Sequence, residues 1–204
     1  MSVADRLQVL DSQVLADDWA VLRKTRIAWR RADGQWDQMW RETYDRGDGA
    51  VILPYDPDRG MVLLVRQFRY AAYVNGHDDL LIEAAAGLLD AAAPEDRIRA
   101  ETEEELGLTL TDVRQVMDLF MSPGSVTERL HFFVARYSAA DTLAAGGGVP
   151  AEGEEIDRLE LPLTTALDWI ADGRIRDAKT VILLYHAAQH LFPVQPQFPA
   201  RIAP

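Results

Sequence analysis

Two apolar runs near the middle of the chain constrain its fold more than any other feature. Residues 49–56, GAVILPYD, and residues 60–70, GMVLLVRQFRY, are rich in valine and leucine and are connected through PDRG. Short apolar runs bounded by turn residues are typical of buried strands. With 204 residues, of which 48% are hydrophobic, the chain is long enough to bury a full core around them.

Strand and helix patterns are mixed along the rest of the chain. The runs VRQVMDLFM, RLHFFVARY and IDRLEL indicate further strands, and LTTALDWIADG and AKTVILLYHAAQHLF indicate two helices. Strands and helices mixed around one core are typical of α/β or α+β proteins, and these patterns do not separate the two classes.

The first 45 residues have the pattern of a separate small antiparallel sheet. WAVLRKTRIAW and QWDQMWRETYD flank RRADG, in which Asp33-Gly34 is a strong hairpin signal. So small a sheet is marginally stable alone, and we therefore expect it to pack against another surface. We place this region at residues 1–47 and the main domain at residues 48–204.

An acidic helix is predicted from Pro94 to Leu106. Proline is common in the first turn of a helix, and Glu95 and Asp96 favour its positive end. Gly107 suits the position that follows the last turn. The helix therefore has both a start signal and a stop signal.

The second half of this helix concentrates negative charge on one face. At about 100° per residue, Glu101, Glu104 and Glu105 share a face and Glu103 points away. Like charges one turn apart destabilise an isolated helix by about 0.2–0.5 kcal/mol per pair. A hard divalent cation bound by carboxylate oxygens would offset this repulsion, and a solvated acidic surface is the alternative.

Composition excludes several classes of function. The net charge of −12 opposes binding to nucleic acid, so any phosphate ligand should be small and metal-bridged. The absence of cysteine excludes disulfides and thiolate chemistry. No apolar run reaches the roughly 18 residues that span a membrane, and the N-terminus lacks the pattern of a signal peptide. We therefore expect a cytoplasmic protein without a membrane partner.

The segment AGLLDAAAPEDRIRAETEEELGL resembles the Nudix box, a loop–helix–loop whose glutamates bind a divalent metal. From about Trp40 to the C-terminal helix the chain is similar to Nudix hydrolases. It is most similar to the bacterial branch that hydrolyses GDP-mannose, followed by the ADP-ribose pyrophosphatases. The segments that carry this resemblance, in order, are RETYDRGDGAVIL, VRQFRYAAYVNG, AGLLD, MSPGSVTERLHFF, GGGV and GRIRDAKTVILL. It implies an α/β/α sandwich with a mixed sheet, preceded by a small antiparallel sheet that packs across a homodimer.

The resemblance also implies a site for Mg²⁺, with Mn²⁺ as a possible substitute. The residues that correspond to metal ligands are Glu101, Glu105, Glu154 and Ala86 through its backbone carbonyl. Magnesium prefers octahedral oxygen ligands, which carboxylates and a carbonyl supply.

Three acids correspond to residues that take part in catalysis. Glu155 corresponds to an acid near the reaction centre, and Glu104 to a neighbouring acid of the box. Glu128, after SPGSVT, corresponds to an acid that contacts substrate; an exposed turn glutamate is the alternative.

Further residues correspond to the substrate site. Arg69 and Lys179 would contact phosphate oxygens, with surface ion pairs as the alternative. The segment that would reach the partner subunit's site contains Trp40, Arg41 and Glu42, and Trp19 would stack on the base. Ala86 and Gly87 would line the site with their backbone. Glu128 belongs to this set as well.

The box departs from the family pattern at two positions. Ala93 replaces its first glutamate, and Ala100 replaces a basic residue before the helix glutamates. Both usual residues support the metal ligands, and Arg97 or Arg99 could replace that support.

The resemblance therefore implies hydrolysis of a nucleoside diphosphate sugar, with GDP-mannose converted to GMP and mannose 1-phosphate. ADP-ribose pyrophosphatase activity is one alternative. A domain that binds nucleotide sugars without hydrolysing them is the other.

Overall fold

The computed structural model of the protein describes residues 2–141, 144, 146–148, 151, 153 and 155–192. Its strands are β1 (Leu7–Asp17), β2 (Val21–Arg30), β3 (Trp36–Asp45), β4 (Gly49–Asp56), β5 (Met61–Gln67), β6 (Leu81–Glu83), β7 (Ala85–Leu88), β8 (Val113–Phe120), β9 (Arg129–Arg136) and β10 (Ile156–Pro162). Its helices are α1 (Tyr70–Tyr73), α2 (Pro94–Glu101), α3 (Leu163–Ala171) and α4 (Ala178–His190), with a short 3-10 turn at Ala4–Arg6 and a π-helical turn at Thr102–Leu106. Within the described residues, no helix is long and apolar enough to cross a membrane.

The larger sheet is built around β4. Its main path runs in the order β10-β5-β4-β9-β8, while β6 pairs with β5 and β7 pairs with β4. All eight residues of β4 are buried. Because neighbouring side chains on a strand point to opposite faces, both faces of this strand must be covered. The α2 and α4 helices both contact β4. The predicted α/β class with a mixed sheet is confirmed.

The acidic helix is held in the core by its apolar residues. Ile98 and Leu106 are fully buried and belong to the same cluster as Ile52, Leu63 and Phe133 of the sheet. Burial of a leucine or isoleucine side chain contributes roughly 1.5–3 kcal/mol. This packing fixes the rotation of the helix about its axis and so determines where its glutamates lie.

The N-terminal sheet has three strands in the order β1-β2-β3. The predicted hairpin joins β2 and β3, with Gly34 in the left-handed region at φ 87°. The β1 strand was not predicted. It pairs with β2 through irregularities at Val9/Asp11 and Val14/Ala16. These irregularities interrupt the alternation that would identify a strand.

The chain divides into two compact units, and each unit contains two separate segments of the chain. One unit contains residues 1–48 and 120–130, and the other contains residues 49–119 and 131–204. The segment 120–130 joins the first unit because Tyr44 accepts a hydrogen bond from Thr127 at 3.1 Å and donates one to Ser125 at 2.8 Å. A role of the first unit in dimerisation stays a prediction.

Candidate active site

The acidic helix begins and ends at the predicted residues but widens in its last turn. Pro94 is its first residue, and Gly107 follows Leu106 at φ 65°. The last five residues form a π-helical turn, in which Leu108 donates a hydrogen bond to the carbonyl of Thr102 at 3.3 Å. The uniform 100° rotation therefore does not hold there.

This widening divides the glutamates into two pairs. Glu101 and Glu105 are buried, with 5% and 2% of their surface exposed. Glu103 and Glu104 are exposed. Glu104 is therefore more accessible to solvent than Glu101 and Glu105, and a common face for the three stays a prediction.

Gly87 of β7 lies directly against the Glu101 carboxylate. A β-carbon built at Gly87 would overlap with the side chain of Glu101. Gly87 is joined by a peptide bond to Ala86, whose carbonyl is a predicted metal ligand. The absence of a side chain at residue 87 therefore lets a buried carboxylate approach the backbone of β7.

Arg97 connects the helix to β7. Its guanidinium forms an ion pair with Glu101 and donates from Nε to the carbonyl of Leu88 at 3.1 Å. Arg97 Nη1 lies 4.0 Å from a Glu104 oxygen. Arg99 instead pairs with Glu95 at 2.7 Å. Arg97 therefore supplies a cross-link beside the two alanines that depart from the box.

A glycine-rich segment covers the end of the acidic helix. Gly147 and Gly148 donate hydrogen bonds to the carbonyls of Glu105 and Glu104 at 3.0 and 3.1 Å. These bonds satisfy carbonyls that a helix end leaves without helical partners. Ile156 donates to the Gly147 carbonyl at 3.1 Å, which anchors the chain just after Glu155. Glu154 lies outside the described residues.

The donor set around Glu101 and Glu105 fits a hard divalent cation. Two buried carboxylates lie on one helix, and Glu101 is close to the Ala86–Gly87 peptide. Oxygen donors of this kind are the ligands that Mg²⁺ prefers. In the described part of the chain, no three histidine, aspartate or glutamate side chains are gathered as around a metal ion.

A second charged cluster joins β6 to the start of α4. Glu83 accepts from Arg69 Nε at 2.7 Å through Oε2, and from Lys179 Nζ at 2.5 Å through Oε1. Lys179 also lies 2.9 Å from Asp177. Burial acts to lower the pKa of Lys179, but Glu83 and Asp177 outweigh it and hold that pKa above its usual value. Lys179 is therefore a partly buried cation, with 15% of its side chain exposed, and its partner Glu83 is buried.

The pKa of Arg69 is set by the same opposing effects of burial and nearby carboxylates, and one of those carboxylates belongs to the acidic helix. Burial acts to lower the pKa of Arg69, but the charges of Glu83, Glu105 and Asp177 raise it overall. Arg69 is thus within electrostatic range of one of the predicted metal ligands.

Arg69 also borders a cavity of about 550 Å³. A cavity of this size is in the range of small-molecule sites. Glu155 lies on the same cavity, so a predicted substrate cation and a predicted catalytic acid share one space. The lining residues are Gln67, Phe68, Arg69, Leu80, Gly153, Glu155 and Asp157.

The remaining predicted residues belong to the first compact unit. Arg46 Nε lies 3.3 Å from Glu128, and its guanidinium carbon lies 5.6 Å from the ring centre of Trp19. Trp19 is 67% exposed, which leaves most of its ring surface open to a ligand.

The residues on β3 form a separate group within this unit. Lys24 lies 3.7 Å from Glu42 and 5.3 Å from the ring centre of Trp40. Arg41 is exposed and donates to the backbone carbonyl of Trp40 at 2.9 Å. The structure thus places Trp40, Arg41 and Glu42 on consecutive positions of one strand.

Sequence reasoning missed Glu83, Asp177 and Arg46. A single acid inside the apolar run LLIEAAAG was a usable signal for Glu83, because a buried charge needs partners. Asp177 precedes α4 and accepts from the Thr180 N–H at 3.0 Å, which is the signature of a helix N-cap. Arg46 has no comparable local signal.

Substitution of Gly87 by alanine should destabilise the protein, because the added methyl group must displace the Glu101 side chain. Forcing an extra methyl group into a packed site costs about 1–3 kcal/mol. Thermal denaturation of Gly87→Ala should therefore give a lower Tm than the parent protein. Gly124→Ala is the matched control, since nothing lies within 4 Å of a β-carbon there. Equal Tm values for the two variants would contradict the close approach of Glu101 to Gly87.

Comparisons with known proteins cover nearly all of the chain. The family model described as "GDP-mannose pyrophosphatase NudK N-terminal domain" matches residues 6–44. A GDP-mannose pyrophosphatase of Klebsiella pneumoniae is 50% identical over 88% of this chain and 90% of the relative. One of Pectobacterium atrosepticum is 47% identical over 89% and 93%, and one of Salmonella typhimurium is 45% identical over 93% and 99%.

A solved structure with the same fold is described as an ADP compounds hydrolase. It superposes with a TM-score of 0.69 over 91% of this chain and 94% of its own, at 18% identity. At this level of identity the similarity establishes the fold alone.

Proposed function

We propose that this chain, which belongs to the GDP-mannose pyrophosphatase family of Nudix hydrolases, hydrolyses the diphosphate of GDP-mannose to give GMP and mannose 1-phosphate. The observation that carries this proposal is the 45–50% identity, over most of both chains, to relatives that bear this name. The buried acidic pair Glu101 and Glu105 supports it independently.

The divalent cation is the first requirement of the proposed reaction. Glu101, Glu105, the Ala86 carbonyl and Glu154 would hold Mg²⁺, for which Mn²⁺ could substitute. When bound, the ion would offset the negative charge that develops on the diphosphate. The Arg97 cross-link favours an enzyme over a binding domain without activity, because it supports Glu101 where Ala93 and Ala100 do not.

The diphosphate would be held by Arg69 and Lys179. An arginine can bind two phosphate oxygens at once through its planar guanidinium, and a lysine acts as a point charge. Arg69 lies on the cavity, and both cations are fixed by Glu83, which favours a defined position for the substrate phosphates.

Glu155 is the proposed general base. A carboxylate oxygen of Glu155 would accept the proton of the attacking water. It borders the cavity together with Arg69, and it is exposed enough to meet a substrate. Glu128 would contact substrate, and Glu104, which lies near Arg97, would assist the buried pair.

A homodimer is part of this proposal. The N-terminal sheet exposes large apolar side chains, which is unusual for a surface that faces water only. We expect a second copy to cover them and to receive Trp40, Arg41 and Glu42 at its site, with Trp19 stacked on the base. The exposed apolar residues of β1 are Val9, Leu10, Val14 and Leu15, and those of β3 are Trp36, Trp40 and Tyr44.

One assay tests the reaction and its substrate together. The purified protein with Mg²⁺ is offered GDP-mannose, GDP-glucose, ADP-ribose, ADP-glucose and UDP-glucose, and the products are identified by chromatography. We expect the highest kcat/KM for GDP-mannose. Preference for ADP-ribose would favour the alternative hydrolase. Saturable binding of one nucleotide sugar without turnover of any would favour a sensor.

A magnesium titration should separate the roles of the three loop acids. Glu154→Gln should raise the Mg²⁺ concentration for half-maximal rate at least about 100-fold, because loss of a supporting residue alone costs about 10- to 100-fold. Glu155→Gln should lower the rate at saturating Mg²⁺ and substrate about 10²- to 10⁴-fold, because it removes the base. Glu128→Gln should weaken substrate binding and lower the rate together. An unchanged metal requirement for Glu154→Gln would contradict the ligand assignment in this loop.

A further inference from the structure

One buried carboxylate, that of Glu83, holds both of the cations that are proposed to bind the substrate. Only 3% of Glu83 is exposed, and each of its oxygens accepts a hydrogen bond from a different cation. Removal of a carboxylate from water is unfavourable unless it is paired and hydrogen-bonded. Glu83 therefore sets the positions of Arg69 and Lys179 relative to each other.

The contact with Arg69 leaves the binding end of the guanidinium available. Glu83 accepts from Nε, and among the described residues no hydrogen bond uses the two terminal nitrogens of Arg69. Those two nitrogens form the fork that binds an oxyanion in a bidentate manner. Arg69 also borders the cavity of about 550 Å³. If Glu83 accepted from the two terminal nitrogens instead, it would occupy the edge of the guanidinium that binds phosphate.

The contacts of Lys179 follow the same principle. Glu83 and Asp177 lie 2.5 and 2.9 Å from Nζ. A lysine ammonium has three N–H donors, so two carboxylates leave one donor for a ligand. Each of the two cations thus keeps at least one donor that Glu83 and Asp177 do not use.

The backbone beside Glu83 is itself anchored. Ala84 donates its N–H to the Thr180 hydroxyl at 2.6 Å, and that hydroxyl donates to Asp177 at 2.6 Å. Thr180 is fully buried. The strand that carries Glu83 is therefore tied to the first turn of α4, from which Lys179 projects, and the cluster is arranged before substrate binds.

We infer that Glu83 is a positioning residue for substrate binding: it orients Arg69 and Lys179 so that their remaining donors converge on the diphosphate of the nucleotide sugar. This inference rests on the proposed function, because it takes the diphosphate as the ligand of both cations. Glu83 itself does not touch the substrate, since both of its oxygens are directed to the cations.

The kinetic test uses the full-length variant Glu83→Gln, which keeps the size of the side chain and removes its charge. KM for GDP-mannose should rise at least tenfold, while kcat stays within about threefold, because the cations contribute binding energy to bound substrate and transition state alike. The Mg²⁺ concentration for half-maximal rate should stay within twofold. A KM within twofold of the parent value, or a loss confined to kcat, would overturn the inference.

Glu160→Gln is the matched control. Glu160 also pairs with an arginine, Arg59, at 2.5 Å and accepts from Tyr137 at 2.7 Å. It has no described contact with Arg69 or Lys179. This variant also removes a carboxylate that accepts two hydrogen bonds, one of them from an arginine, although it is more exposed than Glu83, and it should keep the parent KM. An equal rise of KM in both variants would assign the effect to general loss of stability and would overturn the inference.

Coupling between residues provides the second readout. In an Arg69→Ala/Lys179→Ala background, Glu83→Gln should raise KM by less than twofold, since the groups it positions are gone. A full tenfold rise in that background would overturn the inference. If Glu83→Gln does not fold, Glu83→Asp replaces it: the shorter carboxylate cannot reach both cations, and KM should rise at least threefold. An unchanged KM for a folded Glu83→Asp would likewise overturn it.

Failure of the inference and failure of the proposed function give different results. Titration of GDP-mannose into the same proteins in EDTA measures binding without hydrolysis. A parent protein that binds GDP-mannose in this titration but does not hydrolyse it when Mg²⁺ is supplied would refute the proposed function alone. If the dissociation constant of Glu83→Gln in that titration is tenfold higher than that of the parent protein, the positioning role is still supported. Equal dissociation constants would refute it.

Discussion

Replacement of Glu105 by glutamine should leave a folded protein that has lost most of its hydrolytic activity. Glutamine keeps the size and hydrogen-bonding ability of this buried side chain but removes the charge that a divalent ion requires. Loss of a residue that merely supports a metal ligand costs about 10- to 100-fold, so loss of a ligand should cost at least about 100-fold. Initial rates at saturating Mg²⁺, together with circular dichroism to verify folding, measure this.

Glu103→Gln is the control for that experiment. Glu103 lies on the exposed side of the same turn, two residues away, so its substitution should change the rate by less than about twofold. Similar losses from the two variants would mean that the division into buried and exposed glutamates does not describe the working enzyme.

Removal of residues 1–48, the N-terminal part of the first unit, should abolish both dimerisation and activity. A chain of residues 49–204 lacks Trp19, Trp40, Arg41 and Glu42, which we propose to complete the substrate site of the partner subunit. Light scattering and the hydrolysis assay measure the two effects. An active monomer of this length would contradict the proposed dimer.

Mixed dimers of full-length chains test the same idea without truncation. Arg41→Ala and Glu105→Gln should each be poorly active alone. After subunit exchange, half of the dimers are mixed and each has one site with both residues intact, so roughly a quarter of the parent activity should return. No recovery after verified exchange would place Arg41 and Glu105 in the same site of one chain.

Most strands and helices were predictable because their signals are local. The apolar runs of β4 and β5 specify buried strands, and Pro94 and Gly107 specify the ends of the acidic helix. The π-helical turn has no such signal. It depends on how Leu106 and Leu108 pack in the core, which involves residues distant in the sequence. Uniform helical geometry consequently did not show that Glu104 is exposed while Glu101 and Glu105 are buried.

The polar clusters were less predictable than the acidic pair. Glu101 and Glu105 are four residues apart on one helix, so their proximity follows from the sequence. Glu83 and Lys179 are 96 residues apart, and they meet only because the chain folds so that β6 lies next to the start of α4. The individual cations Arg69 and Lys179 were predicted from the resemblance, but their common partner was not.

The loop between Gly147 and Ile156 is closed at its base by a backbone hydrogen bond, and its N-terminal side is bonded to the end of the acidic helix. We therefore expect insertions or deletions inside this loop to leave the positions of the acidic helix and of β10 unchanged. In general, doubling the length of a loop costs only about 0.6 kcal/mol in closure entropy. Protein engineering could thus change the length of this loop separately from the rest of the fold. In variants with shorter or longer loops, the loop acids would extend over different distances and could suit sugars of different size.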